Sequence, residues 1–190
     1  MGTRNLTVVV KNDKVVVAQY GQWDGYPDAA GLGILKILSE DLDGLILGVS
    51  NCIEADEGIH DSMMKHAEEK VGVNTAPEGF ISGDISDALA ELYPEQHRNT
   101  GYTILKLIAD SRTPIYVSKR FDFAADTLFC EWAYVIDLDN GKFETHSGSG
   151  NGEQGIFARL GENTVSMIAS FDLDNLPSDE QFMLAFDPED

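Results

Sequence analysis

The chain has 190 residues, 43% of them hydrophobic, enough for one domain with a sizeable core. It carries 33 acidic against 13 basic residues, a net charge of −20, so its surface repels nucleic acid and anionic membranes. There is no run of about 18 apolar residues to span a membrane, no signal-peptide pattern in Met1-Gly2-Thr3-Arg4-Asn5, and only two cysteines, Cys52 and Cys130; a cytoplasmic protein with reduced thiols is expected.

Residues 6–10 and 15–20 are β-branched-rich runs around Lys11-Asn12-Asp13-Lys14. They predict a hairpin with Asn12-Asp13 at its tip, two residues that tolerate left-handed backbone. A two-residue tip pairs Val10 with Val15 and Val8 with Val17. Continued, that register sets Arg4 opposite Gly21 and Thr3 opposite Gln22. The loop that follows, Tyr20-Gly21-Gln22-Trp23-Asp24-Gly25-Tyr26-Pro27-Asp28, crowds glycines, aromatics, a proline and acids together. Few plain connections need that mixture.

Asp28 is the expected N-cap of a helix over 29–40, with Leu32, Leu35, Ile37 and Leu38 as its apolar stripe. A short helical or irregular apolar stretch covers 41–55. A charged-faced helix spans 57–71; His60 and His66 lie too far round it to share a metal. Ser82-Gly83-Asp84 opens a helix with Ile85, Leu89 and Leu92 on one face, stopped before Pro94. His97-Arg98-Asn99-Thr100 precedes a helix over 101–111. A short strand follows at 114–117, and a loop at 124–126.

Residues 128–138 predict the strongest strand. Leu128, Cys130, Trp132, Tyr134 and Ile136 fall on one face, with Phe129, Glu131, Ala133 and Val135 on the other. Apolar on both faces, it should be central. Asn140-Gly141 turns the chain back through 142–146. A glycine-rich stretch over 147–155 reads as a mobile loop. Val165, Met167, Ala169 and Phe171 alternate as a half-buried strand, and Ser178 to Gln181 fits a capping box for a last helix ending near Phe186. The order predicts one α+β domain over 1–190, with a mostly antiparallel sheet of five to six strands covered by helices.

Four constellations could carry chemistry. Arg4, the Tyr20–Tyr26 loop and His97–Arg98 gather cationic and aromatic residues near helix starts in an otherwise acidic chain. They form either an anion pocket or ion pairs with Asp24, Asp28 or Glu131. Glu131 interrupts an apolar strand, so it is either salt-bridged to Arg4 or Arg98 or a general acid or base. Cys130 with His97 or His146 is a candidate thiol nucleophile pair. The strand and helix order is also compatible with N-terminal-nucleophile hydrolases, but residue 2 is Gly, which cannot attack, and Thr3 would need an unusual cut.

Four stretches resemble an uncharacterised family of small phage and prophage proteins. They are Met1-Gly2-Thr3-Arg4; Tyr20-Gly21-Gln22-Trp23-Asp24-Gly25-Tyr26-Pro27; His97-Arg98-Asn99-Thr100-Gly101; and Leu128-Phe129-Cys130-Glu131-Trp132-Ala133-Tyr134-Val135-Ile136-Asp137. Some members carry Cys at the position of Gly2. The resemblance implies a phage origin and a host-directed role, including inhibition of a defence system, in the host cytoplasm.

The expected function is a phage-type accessory protein binding a small anionic, nucleotide-like ligand through Arg4, Tyr20, Gln22, Asp24, Tyr26, His97, Arg98 and Glu131, with no cofactor, metal, nucleic acid or membrane involved. The alternatives are an acidic inhibitor that mimics DNA toward a basic host protein, and an N-terminal-nucleophile-like or thiol hydrolase.

Overall fold

The computed structural model describes residues 2–72 and 82–186. Strands β1 (Asn5–Lys11) and β2 (Lys14–Gly21) form the first hairpin, with Asn12 and Asp13 left-handed at its tip (φ 55° and 58°). Lys11 pairs with Lys14 and Val10 with Val15, as the two-residue tip requires. Val9 then pairs with Val17, so Val16 is left over as a bulge and the register slides by one. Asn5, not Arg4, therefore faces Gly21. The slip has a physical reason. β1 is buried on both faces from Asn5 to Val10, so no apolar–polar alternation pins its register.

A turn of π-helix at Pro27–Gly31 leads into α1 (Leu32–Gly48). Tyr26, not Asp28, sits at the N-cap of that turn, and no side chain caps it. α1 runs past the expected end at residue 40, kinked where Asp41 leaves helical geometry (φ −154°, ψ 53°). Asp41 Oδ1 accepts the Gly44 N–H (3.0 Å), recapping the second half. The stretch over 41–55, expected to be helical or irregular, is thus mostly helix, closing in β3 (Cys52–Glu54).

α2 (Glu57–Val71) and α3 (Gly83–Leu92) start at Asp56 and Ser82, whose side chains accept from Ile59 and Ile85 N–H groups. Ala67, Ile85 and Ala88 bury a small core between them. α4 (Ile104–Asp110) follows a short helical turn, and β4 (Ile115–Val117) pairs in parallel with β3.

The central strand is β5 (Trp132–Asp137), shorter than expected. Asp126 ends the preceding helical turn: its carbonyl accepts from Phe129 and Cys130 N–H groups. That turn leaves Leu128 and Phe129 exposed and holds Glu131 outside the strand. It also moves Cys130 to the Ala133–Val135 side of the sheet, away from Trp132 and Tyr134. β6 (Lys142–Ser147), β7 (Ser166–Asp172) and α5 (Asp179–Leu184) complete the chain, and the capping box on Ser178 and Gln181 is present.

The main sheet has the order β2-β1-β5-β6-β7, with β1 and β5 parallel and every other pair antiparallel, so the fold is α+β. One face packs Val9, Val17, Tyr134, Ile136 and Phe143 against α1, α4 and Phe182 of α5. The other packs Leu6, Val8 and Val135 under short helical turns carrying Ala124 and Phe157. The glycine-rich segment after β6 runs close to neighbouring backbone: a Cβ on Gly148 or Gly152 would collide with the carbonyl of Thr127 or Met167. At the far end, Asp139 accepts the Asn12 and Asp13 N–H groups (2.7 Å each), clipping the two hairpins together. These main-chain donors hold its carboxyl below the usual range. No helix among the described residues is long and apolar enough to cross a membrane.

Candidate functional site

β2 is an edge strand of the main sheet, and its end forms one wall of a cleft of about 540 Å³. Main-chain bonds fasten a second segment beside it. The Ala18 N–H donates to the Ser118 carbonyl and the Arg120 N–H to the Ala18 carbonyl, both at 2.9 Å. Strand-like alternation then sends Lys119 to Glu54 (2.7 Å) while Ser118 and Arg120 line the cleft beside Gln19 and Tyr20.

Arg98 arrives from the connection between α3 and α4. The His97 N–H donates to the Pro94 carbonyl (3.2 Å) and the Thr100 N–H to the His97 carbonyl (3.0 Å). Gln96 Nε2 donates to the Tyr116 carbonyl (2.6 Å), anchoring the same connection to β4. His60 of α2 closes one side, and the helical turn at Phe121–Ala125 supplies Asp122 and Phe123, with Asp126 just beyond. Tyr20 and Phe123 meet edge to face, ring centres 5.1 Å apart.

Two guanidiniums, Arg98 and Arg120, thus share the cleft with two carboxylates, Asp122 and Asp126. Among the described residues no carboxylate lies within 4.0 Å of either arginine, whereas Arg159 pairs with Asp13. Gln19 and Gln96 each hold a buried Oε1 with no hydrogen-bond partner among the described residues. Behind Gln19, along the same face of the sheet, Thr7 Oγ1 and Asn5 Oδ1 are in the same condition. Among the described residues no three His, Cys, Asp or Glu side chains gather to hold a metal ion.

Of the eight residues expected at a site, Tyr20 and Arg98 line this cleft. Gln22 accepts from the Tyr20 hydroxyl (2.7 Å) without lining it. His97 turns away, with Nε2 at 3.3 Å from Ser86 Oγ and Nδ1 accepting the Asn99 N–H. Asp24 and Tyr26 stand on the exposed side of their loop. That loop does lie beside the 97–100 segment, since Trp23 Nε1 donates to Asn99 Oδ1 (3.2 Å). Its main chain is spent on architecture. Gly25 donates to the Thr3 carbonyl (3.0 Å) and accepts from the fully buried Tyr134 hydroxyl (2.8 Å), whose pKa burial pushes well up.

Arg4 and Glu131 form a separate cluster. Arg4 lays its guanidinium over the Phe129 ring at 4.6 Å, and its main-chain N–H, not its guanidinium, donates to Glu131 Oε1 (3.3 Å). Glu131 is half-buried and makes no ion pair among the described residues, which corrects the expected salt bridge to Arg4 or Arg98. Glu131→Gln keeps an acceptor for that N–H, so chemical denaturation should register a loss below about 1 kcal/mol. A larger loss would show that the charge itself is needed.

Cys130 is fully buried and its thiol faces the Trp132 carbonyl (3.6 Å). Burial, with Asp126 adding to it, pushes the thiol up to about 12. His97 and His146 bond to Ser86 and Glu144, and neither reaches Cys130. Thr3 is buried, and a Cβ on Gly2 would collide with the Trp23 ring.

Sequence reasoning missed Arg120, Gln19, Gln96 and the two aspartates. Lys119-Arg120 was a usable signal: adjacent bases just past a strand in an acidic chain. Gln19 also breaks a run of apolar residues. Gln96 carried no signal. Compared with known proteins, this chain matches no family model, no curated relative and no solved structure.

Proposed function

We propose that this protein binds a small anionic ligand in the cleft between β2, the 94–100 connection and the 118–126 segment, held by Arg98 and Arg120. The observation that carries this is electrostatic. With 33 acidic residues against 13 basic ones, an arginine has abundant carboxylates to pair with. Two arginines at one cleft nonetheless lack a carboxylate within 4.0 Å among the described residues. Planar guanidiniums suit phosphate and carboxylate oxygens, which they grip through paired N–H groups. The resemblance to phage proteins extends the proposal to a host-directed setting, with the ligand captured in the host cytoplasm.

Thermal melts at low ionic strength test the proposal. Inorganic phosphate and phosphorylated metabolites should raise Tm with concentration, as mass action on the folded state requires, and added salt should erase the rise. A Tm indifferent to every anion tried would refute it.

A further inference from the structure

Building on that anion-binding proposal, we infer that His60 is a third anion-binding group of the same cleft: its imidazolium meets the anion from the α2 side, so binding takes up a proton and strengthens as pH falls.

His60 lacks the partners that the other histidines have. His66 meets the Tyr93 hydroxyl (2.7 Å), His97 lies 3.3 Å from Ser86 Oγ, and His146 lies 3.0 Å from Glu144. Among the described residues the His60 ring makes no hydrogen bond, and no carboxylate lies within 4.0 Å of it. Arg98 and Arg120 are in the same condition. Acids are not scarce nearby, since Glu57 and Asp61 flank His60 on α2. Asp56, just before them, accepts the Ile59 N–H (2.9 Å) as the helix cap.

His60 is half-buried and lines the cleft together with both arginines. The three basic groups enter from three separate walls: His60 from α2, Arg98 from the 94–100 connection and Arg120 from the segment fastened to β2. An anion gripped by two guanidiniums keeps oxygen lone pairs for a further donor, and a protonated imidazole donates from both ring nitrogens.

Charge gives the proton a reason to bind. Arg98 and Arg120 stand against Asp122 and Asp126 in the cleft walls, so a dianion entering there adds negative charge that an imidazolium offsets. Histidine is the side chain that ordinarily changes charge between about pH 5 and 8. The other groups around His60 are of types that ordinarily hold their charge over that interval. They are the two arginines, Asp122, Asp126 and Tyr20 in the cleft, the α2 acids, and the Glu54–Lys119 pair (2.7 Å) beside the start of α2. Affinity is therefore greatest with His60 protonated and falls as pH rises through the histidine range.

Calorimetric titration with sulfate at low ionic strength tests this, because sulfate keeps both its charges across the range. The buffers should be ones whose ionised form is a cation, so that they do not compete. From about pH 8 to about pH 5.5 the affinity should rise about threefold or more, the scale of a partly exposed charge pair. His60→Gln should flatten that rise, whereas His66→Gln, a change outside the cleft, should keep it. In the unaltered chain at about pH 6, the His60 ring signals should move by NMR along the calorimetric saturation curve while those of His66 and His146 stay in place. A pH-independent affinity, a rise that survives His60→Gln, or His60 signals that stay still under saturating sulfate would overturn the inference and leave the two-arginine site standing. No sulfate binding at any pH would overturn both.

Discussion

A chain carrying both Arg98→Gln and Arg120→Gln should lose about a hundredfold or more in affinity for any anion the wild type binds. A hydrogen bond to a charged group contributes about 1.5–3 kcal/mol, and the double variant removes two such donors. Stability should hardly move, because both arginines are exposed and neither makes a side-chain hydrogen bond or ion pair among the described residues. Urea midpoints should stay within about 0.5 kcal/mol of wild type. Arg112→Gln is the control: Arg112 Nη1 bonds to the Ala109 and Ser111 carbonyls away from the cleft, so binding should survive its loss. Retained affinity in the double variant would mean that the cleft is not the anion site.

Phe182→Ala should cost about 3–5 kcal/mol, the range for deleting a fully buried aromatic. The ring is inaccessible to solvent and stacks on Phe143 at 5.8 Å and 4°. It also meets Phe171 at 5.3 Å and Phe186 at 5.0 Å. α5 has six residues, too few to persist as a helix without docking. Its capping box fixes where it starts, and Phe182 fixes it to the sheet. A loss under about 1 kcal/mol by urea denaturation would mean that neighbouring rings refill the space, and that α5 is less dependent on this contact than its packing implies.

How much of this was legible in the sequence depends on the reach of each interaction. α2, α3 and the capping box at Ser178 are set by residues within a turn of one another, and their expected bounds hold. So do the left-handed Asn12-Asp13 tip and the turn at Gly141, where φ is 64°. The Val16 bulge was hidden because β1 and β2 are apolar on both faces near it, and a slip of one residue leaves the pattern looking the same. The start of β5 was misplaced because Leu128, Phe129 and Cys130 look like strand residues, yet Asp126 bends them into a turn. The cleft itself was only half visible. Tyr20 and Arg98 drew notice as an aromatic and a base at loop ends. Arg120 joins them through main-chain bonds to Ala18, a pairing across about a hundred residues that no local pattern encodes.

The most direct test of the cleft is to watch the arginines themselves. The chain has five, Arg4, Arg98, Arg112, Arg120 and Arg159, so their side-chain Nε–H signals can be assigned individually by NMR. During a titration with inorganic phosphate at low ionic strength, the signals of Arg98 and Arg120 should move together along one saturating curve while those of Arg4, Arg112 and Arg159 stay in place. Movement at Arg4 beside Phe129, or at no arginine while phosphate is in excess, would contradict the assignment of the cleft as the anion site.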